Sequence, residues 1–322
     1  MRDDVDADDA SVPKPVTESS KSNQATETTD RREGSDRIRY LLVLSRPRFW
    51  FYLAGPVVVG VAYGASSVRG LFAPSALLLF GYFLLPANVL LYGVNDAFDA
   101  DLDAHNPKKA AAESRETRWR GDRLATAAIV ASAGLGVATF AVSQPAAWPY
   151  LAGFFALAVG YSAPPLRFKT TPILDSVSNG LYVLPGAAAY ATISGGHPPW
   201  AALVGAWAWT MAMHTFSAIP DIDPDREAGI ETTATLLGES WTYAYCGVCW
   251  SLAAIAFAIV DIRLGALLGI YPVFVAVVAS TPIAVERAYW WFPALNTVVG
   301  TALTIGGLWR IVSLPEVIAS VA

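Results

Sequence analysis

The sequence predicts an all-α, multi-pass membrane protein with about nine transmembrane helices. The chain of 322 residues is 54% hydrophobic and only 15% charged, whereas about a quarter of the residues in soluble globular proteins are charged. Several apolar stretches reach the ~20 residues that a helix needs to cross a bilayer. Eleven Trp and thirteen Tyr suit aromatic belts at the membrane surfaces. The predicted spans are 46–65, 74–98, 124–142, 147–163, 174–193, 200–220, 241–260, 263–281 and 292–313.

The first 36 residues differ in composition from the rest of the chain. They contain ten acidic and five basic residues, which account for the net charge of −5, and almost no large apolar side chains that could form a core. They also lack the apolar segment of a secretory signal peptide. We therefore expect a disordered acidic tail at 1–36 and one membrane domain at 37–322.

The basic residues predict the orientation of the domain in the cell membrane. Lys and Arg are enriched in short cytoplasmic segments of membrane proteins. With a cytoplasmic N-terminus, most basic residues of the domain fall on the cytoplasmic side, together with the loops after spans two, four and six. Those loops also contain nearly every unusual polar residue, which predicts a cytoplasmic active-site mouth.

The second span ends in a polar stripe that predicts a metal site. On a helix, Asn88, Asn95, Asp96, Asp99 and Asp103 share one face, because residues three and four positions apart are neighbours. Carboxylates on one face repel each other unless a cation lies among them. Oxygen ligands select hard cations, and Mg²⁺ typically takes one or two carboxylates plus substrate phosphates. The alternative is a charged helix end in the headgroup zone.

The sixth span ends in a second acidic cluster. Asp221 and Asp225 lie one helical turn apart, and Pro220 and Pro224 disturb the helix around them, which is tolerated where the backbone lines a polar cavity. Two acidic clusters at one membrane face can hold one diphosphate from both sides. His214, seven residues earlier, either faces the same cavity or packs as a buried histidine.

Basic and polar residues flank the two clusters. The loop after the fourth span contains Tyr161, Arg167 and Lys169 beside a Pro-Pro turn, and Lys108 and Lys109 follow the first cluster. Cations beside a leaving diphosphate neutralise the charge that grows as the C–O bond breaks. Positive-inside anchoring is the alternative for the basic residues that follow the first cluster.

This combination fits a prenyltransferase that ionises an allylic diphosphate. The C–O bond breaks, a carbocation forms, and apolar walls exclude water until a lipophilic acceptor attacks. Tyr, Trp and Phe in spans two, five and six can stabilise the cation by their ring faces. We expect membrane lipid around the protein and no nucleic-acid partner.

Three motifs resemble those of the UbiA-type intramembrane prenyltransferases. Residues 95–103 (NDAFDADLD) match the family's NDxxDxxxD motif, and residues 221–225 (DIDPD) match its DxxxD motif. Residues 161–169 (YSAPPLRFK) resemble its YSxxP…K element, and the stretch after the second motif is also similar. The resemblance covers about residues 40–315. It implies nine helices around a central lateral cavity and two Mg²⁺ ions, one held by the first motif and one by the second.

The resemblance also implies roles for individual residues. The metal ligands and catalytic residues would be Asp96, Asp99, Asp103, Asp221 and Asp225, with Lys169 as a further catalytic residue. Apart from the resemblance, the polar stripe and the flanking loops supply further candidate contacts to the metal-bound diphosphate, which are Asn88, Asn95, Lys108, Lys109, Tyr161 and Arg167.

Two longer runs resemble the archaeal and actinobacterial lycopene elongases. They are 95–109 (NDAFDADLDAHNPKK) and 164–186 (PPLRFKTTPILDSVSNGLYVLPG). The resemblance implies transfer of five-carbon units from dimethylallyl diphosphate to the ends of lycopene, towards fifty-carbon carotenoids such as bacterioruberin. The resulting tertiary cation would be hydrated or would lose a proton. The acidic tail fits a haloarchaeal source.

Other functions remain open from the residues alone. A related enzyme could prenylate a quinone precursor or form geranylgeranylglyceryl phosphate lipids, although a phosphate-bearing acceptor needs additional cations that the spans do not show. An ion-coupled transporter would place ionisable groups near the bilayer midplane, whereas the carboxylates here gather at one face.

Overall fold

The computed structural model describes residues 36–103 and 123–312, and gives the backbone alone for residues 99–103. The chain divides into two units, Met1–Tyr40 and Leu41–Ala322. Every element below belongs to the second unit. Residues 1–35 of the predicted tail lie outside the described residues, so the predicted boundary of the tail stays a prediction.

From residue 47 onward the described chain is built from α-helices, short 3-10 turns and loops. The α-helices are α1 (Trp50–Gly64), α2 (Val68–Leu71), α3 (Pro74–Leu84), α4 (Pro86–Asp103), α5 (Arg123–Val142), α6 (Trp148–Gly160), α7 (Leu174–Val177), α8 (Leu184–Ser194), α9 (Trp200–Ser217), α10 (Ile222–Glu227), α11 (Thr233–Leu237), α12 (Glu239–Val260), α13 (Ile262–Leu268), α14 (Ile270–Ser280) and α15 (Val285–Leu308).

Four helical stretches in the described ranges are long and apolar enough to cross a membrane. They are Val68–Phe98, Arg123–Val142, Glu239–Val260 and Ile262–Ser280, each close to the ~20 residues that a bilayer requires or longer. The predicted all-α, multi-pass architecture is therefore confirmed. The number of nine spans stays a prediction, because other predicted spans contain shorter or interrupted helices.

The predicted fifth span is interrupted, and the interruption places polar groups inside the protein. A 3-10 turn at Ser178–Tyr182 separates α7 from α8. In α7, the hydroxyl of Ser176 accepts a hydrogen bond from Thr215 of α9 at 2.9 Å and contacts the Tyr245 hydroxyl of α12 at 2.9 Å. Irregular backbone at membrane depth is tolerated where protein surrounds it. The break therefore delivers α7 into the interior of the domain.

Helices α1 and α8 pack at a distance that only glycine permits. A Cβ atom added to Gly60 would lie 2.1 Å from the carbonyl oxygen of Gly186. Small residues allow backbones in membrane proteins to approach closely, which maximises dispersion contacts. The last helix, α15, also contacts α1, since a Cβ at Gly307 would lie 2.9 Å from the Ala62 side chain. Helix α1 is thus held on two sides.

Two apolar clusters form the core of the domain. The first joins α1, α3, α4, α6 and α8, with Leu53 and Phe154 fully buried. The second joins α9, α12, α14 and α15 through aromatic rings, with the Phe292 ring centroid 5.7 Å from the centroids of both Phe216 and Trp250. Offset aromatic packing of this kind adds about 0.5–1.5 kcal/mol per pair beyond burial. These clusters fix the helix ends that carry the predicted motifs.

Candidate active site

The first acidic motif lies at the C-terminal end of α4 and is paired with a basic residue that precedes α1. Asp96 is buried, and its Oδ1 accepts a hydrogen bond from Arg46 Nη2 at 2.6 Å. The Arg46 guanidinium also lies 4.7 Å from the centroid of the Tyr92 ring. Arg46 has a left-handed backbone with φ of 49°. The turn before α1 therefore directs a cation onto the first motif.

The predicted loop between α6 and α7 contacts the same motif. The Oδ1 of Asn95 accepts hydrogen bonds from Ser162 Oγ at 2.6 Å and from Lys169 Nζ at 3.2 Å. Arg167 donates to the carbonyl oxygen of Phe98 at 2.7 Å, which anchors the loop to the end of α4. The structure thus brings Asn95, Asp96 and Lys169 together. It places Arg167 against a backbone carbonyl oxygen at the end of α4.

Burial makes Lys169 less basic than an ordinary lysine. Loss of hydration lowers the pKa of Lys169 to about 8, the Asp96 carboxylate opposes that shift, and the Arg46 guanidinium adds to it. A buried ammonium is costly unless negative charge lies near it. Lys169 and Arg46 together therefore form a positive region beside the first motif that is suited to an anionic group.

The second acidic motif lies after α9. Asp221 closes a 3-10 turn at Ile219–Asp221, and the half-buried Asp225 lies within α10. Asp223, between them, is largely exposed and lies 3.9 Å from Arg226. The Arg226 guanidinium donates to the carbonyl oxygen of Thr235 at 2.7 Å, which ties α10 to α11. This contact holds α10 against α11, next to Asp221 and Asp225, which lie one helical turn apart.

The buried carboxylate of Asp175, which the sequence analysis did not identify, joins α7 to α11. Asp175 of α7 accepts hydrogen bonds from the Thr233 hydroxyl and from the Thr233 backbone N–H of α11, the latter at 3.0 Å. Thr233 Oγ1 in turn accepts the Ile173 N–H at 2.7 Å. Ile173 has φ of 73°, which is unfavourable for a β-branched residue. These contacts tie the chain after Lys169 to the chain after Asp225.

His214 lies between these groups on α9. Its Nε2 is 4.0 Å from Asp175 Oδ2, and its ring packs edge-to-face against Tyr161 with centroids 6.2 Å apart. Tyr161 directly precedes Ser162, which contacts Asn95. These contacts agree with the predicted alternative in which His214 faces the site. The Tyr161 ring contacts His214, and the residue after Tyr161 contacts the first motif.

Asn88 forms its described hydrogen bonds with backbone carbonyl oxygens. It is fully buried, and its Nδ2 donates to the carbonyl oxygens of Phe83 and Leu84, each at 3.0 Å. These carbonyls lie at the break between α3 and α4, where the helical hydrogen-bond pattern is interrupted. The contacts favour a structural role for Asn88 over the predicted contact with diphosphate.

Aromatic rings line the interior beneath Arg46. Phe49 lies with its ring centroid 5.6 Å from that of Tyr52 and 6.0 Å from that of Tyr92. Tyr52 packs edge-to-face on Tyr182 at 6.2 Å. The rings come from spans one, two and five, and span one was not among the spans named in the sequence analysis. Their role in stabilising a cation stays a prediction.

The described donor set fits a hard divalent cation. Asp96, Asp221 and Asp225 offer carboxylate oxygens, which Mg²⁺ prefers. The side chains of Asp99 and Asp103, like Lys108 and Lys109, lie outside the described residues. Among the described residues, no group of three or more His, Cys, Asp or Glu lies close enough to hold a metal by itself. Substrate oxygens and the remaining motif carboxylates would therefore complete any site.

Comparison with known proteins decides the family. The model of the UbiA prenyltransferase family matches residues 53–305, which include both acidic motifs and the loop between them. The chain belongs to the UbiA prenyltransferase family. It is therefore an intramembrane prenyltransferase. The membrane localisation predicted from composition is confirmed, and the predicted orientation in the membrane stays a prediction.

Two haloarchaeal relatives of this UbiA-family chain cover most of its length. One from Haloferax volcanii, named lycopene elongase/hydratase, is 65% identical over 86% of this chain and 91% of the relative. One from Halobacterium salinarum with the same name is 62% identical over 85% of this chain and 98% of the relative. The predicted resemblance to that group is confirmed.

A solved structure shares the fold. It is that of a UbiA homolog from Archaeoglobus fulgidus bound to DMAPP and Mg²⁺, with a TM-score of 0.64 at 19% identity, covering 85% of this chain and 99% of that chain. At this identity the likeness supports the common architecture of the UbiA fold.

Proposed function

We propose that this protein transfers dimethylallyl groups from dimethylallyl diphosphate to the ends of lycopene in a Mg²⁺-dependent reaction, with hydration of the product. The observation that carries the donor half of the proposal is that two cations meet the first motif: Arg46 donates to Asp96, and Lys169 donates to the adjacent Asn95. The acceptor half is supported by haloarchaeal relatives that carry the name lycopene elongase/hydratase. The bound DMAPP and Mg²⁺ of the A. fulgidus homolog support the donor and the metal.

Different residues of this chain would bind the metal and the diphosphate of the donor. Asp96, Asp221 and Asp225, with Asp99 and Asp103, would hold Mg²⁺, which neutralises the diphosphate and makes it a better leaving group. Arg46 and Lys169 would exchange their present partners for diphosphate oxygens, where a charge-assisted hydrogen bond is strongest. Ser162 holds the Asn95 carboxamide at 2.6 Å and would orient it towards the same group.

The aromatic lining would protect the cation that follows. The Tyr92 ring lies against the Arg46 guanidinium, and Tyr52 and Tyr182 pack edge-to-face on each other nearby. A carbocation released there would meet π faces rather than water. Its C1 atom would then form a C–C bond with the terminal double bond of lycopene. An apolar acceptor needs no further cation in the interior, which agrees with the charge-poor spans.

The experiment that tests the proposal is a pigment mass spectrum from a lycopene-accumulating bacterium that expresses the protein. We expect masses of lycopene with one and two added five-carbon units, and further masses that include added water. Asp221→Ala should abolish these species. Asp223→Ala is the matched control, since Asp223 pairs with Arg226 at 3.9 Å outside the motif face, and it should retain them.

Either of two results would redirect the proposal. Unmodified lycopene, with the protein present in the membrane and active on geranylgeranylglyceryl phosphate or a quinone precursor, would keep the prenyltransferase and discard the carotenoid acceptor. Elongated pigment from Asp221→Ala at the wild-type level would contradict the role of the second motif.

We also propose that the N-terminus and the active-site mouth face the cytoplasm. Support comes from the basic residues that cluster with the motifs. Both native cysteines are buried, so a single introduced cysteine can be labelled selectively in cells. Glu227→Cys should react only after the membrane is permeabilised, and Gly196→Cys, in the exposed loop between α8 and α9, should react in intact cells. The reverse pattern would invert the orientation.

A further inference from the structure

We propose that His214, positioned by Asp175, is the base that takes a proton from water during hydration of the carotenoid cation. This inference rests on the proposed function and assigns a residue to its last step. After prenyl transfer the acceptor carries a tertiary cation. A water oxygen forms a C–O bond with that carbon, and one O–H proton must leave. That proton passes to a base, and His214 is an imidazole placed to accept it.

The geometry around His214 meets the requirements of a base and its positioning partner. The Nε2 atom lies 4.0 Å from Asp175 Oδ2, and neither ring nitrogen forms a hydrogen bond with any described residue. The side chain keeps 22% of its surface accessible, so a water molecule can reach the ring. A base that lies within ion-pair distance of a carboxylate on one side and is accessible on the other has the partners that acid–base catalysis uses.

Asp175 is buried and held in place, which suits an orienting group. Its side chain is 2% accessible, and both carboxylate oxygens accept hydrogen bonds from Thr233. A proton taken up by His214 would create an imidazolium within ion-pair distance of a buried carboxylate. At this low-dielectric position the attraction is stronger than in water. Asp175 therefore favours the protonated product of the step.

The position of the pair relative to the donor site also fits. The Tyr161 ring packs edge-to-face on the His214 ring with centroids 6.2 Å apart, and the next residue, Ser162, donates to Asn95. The base is thus adjacent to the donor motif without contacting it. Among the described residues, the only other histidine, His197, lies in an exposed loop where it contacts Tyr150. His214 is therefore the imidazole available to the interior.

The test measures how products divide between hydroxylated and non-hydroxylated carotenoids in vitro. Purified protein in liposomes receives lycopene, dimethylallyl diphosphate and Mg²⁺, and pigments are separated by mass. For His214→Ala we expect the hydroxylated share to fall about tenfold or more, because positioned proton transfer typically contributes at least that factor. The elongated, non-hydroxylated product should rise, and the affinity for dimethylallyl diphosphate should stay within about twofold of wild type. Added imidazole should restore part of the hydroxylated share.

A second variant separates chemistry from folding. Asp175→Asn keeps the size of the side chain and should lower the hydroxylated share less than His214→Ala, without rescue by imidazole. A hydroxylated share equal to wild type in His214→Ala would overturn the proposal, as would an equal fall of all products without imidazole rescue. If wild type fails to elongate lycopene at all, the proposed function itself fails. If wild type elongates but the share is insensitive to His214, only this inference fails.

Discussion

Arg46 and Asp96 form an ion pair of 2.6 Å across the entrance of the candidate site. The two residues are fifty positions apart in the chain, and the pair joins the turn before α1 to the end of α4. A cation that neutralises a metal-binding carboxylate competes with the metal. We therefore expect Arg46 to compete with Mg²⁺ for Asp96 and to donate to the diphosphate when metal and donor are bound.

Removing Arg46 should change the affinities for metal and donor in opposite directions. For Arg46→Gln we expect Mg²⁺ alone to bind more tightly, since the competing guanidinium is gone. Dimethylallyl diphosphate should bind about tenfold or more weakly, because a charge-assisted hydrogen bond contributes about 1.5–3 kcal/mol. Titration calorimetry of the purified protein measures both. Arg69→Gln, an exposed residue on α2, is the control, and parallel changes in both affinities would contradict the competition.

The pKa of Lys169 predicts a pH dependence for donor binding. Because burial lowers this pKa to about 8, the free protein loses the ammonium charge as the pH rises through that value. Only the protonated form attracts diphosphate, so donor affinity should fall above pH 8 and be constant well below it. Lys169→Arg retains its charge and should show a flatter profile. The same alkaline decrease in wild type and Lys169→Arg would assign the titration to another group.

Asn88 should matter for stability rather than for metal binding. Asn88→Ala leaves the carbonyl oxygens of Phe83 and Leu84 without the amide that now donates to both, and an unsatisfied buried polar group costs about 1–3 kcal/mol. We expect a lower unfolding temperature in detergent with an unchanged Mg²⁺ requirement. A large rise in the Mg²⁺ concentration needed for activity, at normal stability, would return Asn88 to the binding site.

The contact between α1 and α8 should tolerate no side chain at Gly60. In Gly60→Ala the new methyl would lie 2.1 Å from the Gly186 carbonyl oxygen, so the helices must separate, at a cost of about 1–3 kcal/mol. Gly55→Ala lies on the same helix, where a Cβ meets nothing within 4 Å, and it should be neutral or slightly stabilising. Thermal unfolding of the two variants checks the contrast, and equal unfolding temperatures would rule out tight α1–α8 packing.

The sequence predicted the site residues that form motifs of neighbouring positions in the chain. Asn95 and Asp96 share a helical stripe, and Lys169 belongs to a motif of its own. Arg46 was not identified, because an arginine at the start of the first span is expected from membrane orientation alone. Asp175 and Thr233 are 58 positions apart, and neither belongs to an acidic or basic cluster. Their pairing depends on the break between α7 and α8, which hydrophobicity does not reveal. The hydrogen bonds of Asn88 could not be predicted for the same reason. Its position on the stripe was predicted, but its partners are carbonyl oxygens at the break between α3 and α4.

The most direct test of the account measures prenyl transfer with purified protein. Liposomes that contain the protein and lycopene receive radiolabelled dimethylallyl diphosphate, with Mg²⁺ or with a chelator, and label in the carotenoid fraction is counted. We expect label to enter that fraction only with Mg²⁺, and to be lost in both Asp96→Asn and Asp221→Asn. Transfer that persists in the chelator or in both variants would contradict a metal-dependent reaction at the two motifs, and absence of label from wild-type lycopene would contradict the acceptor.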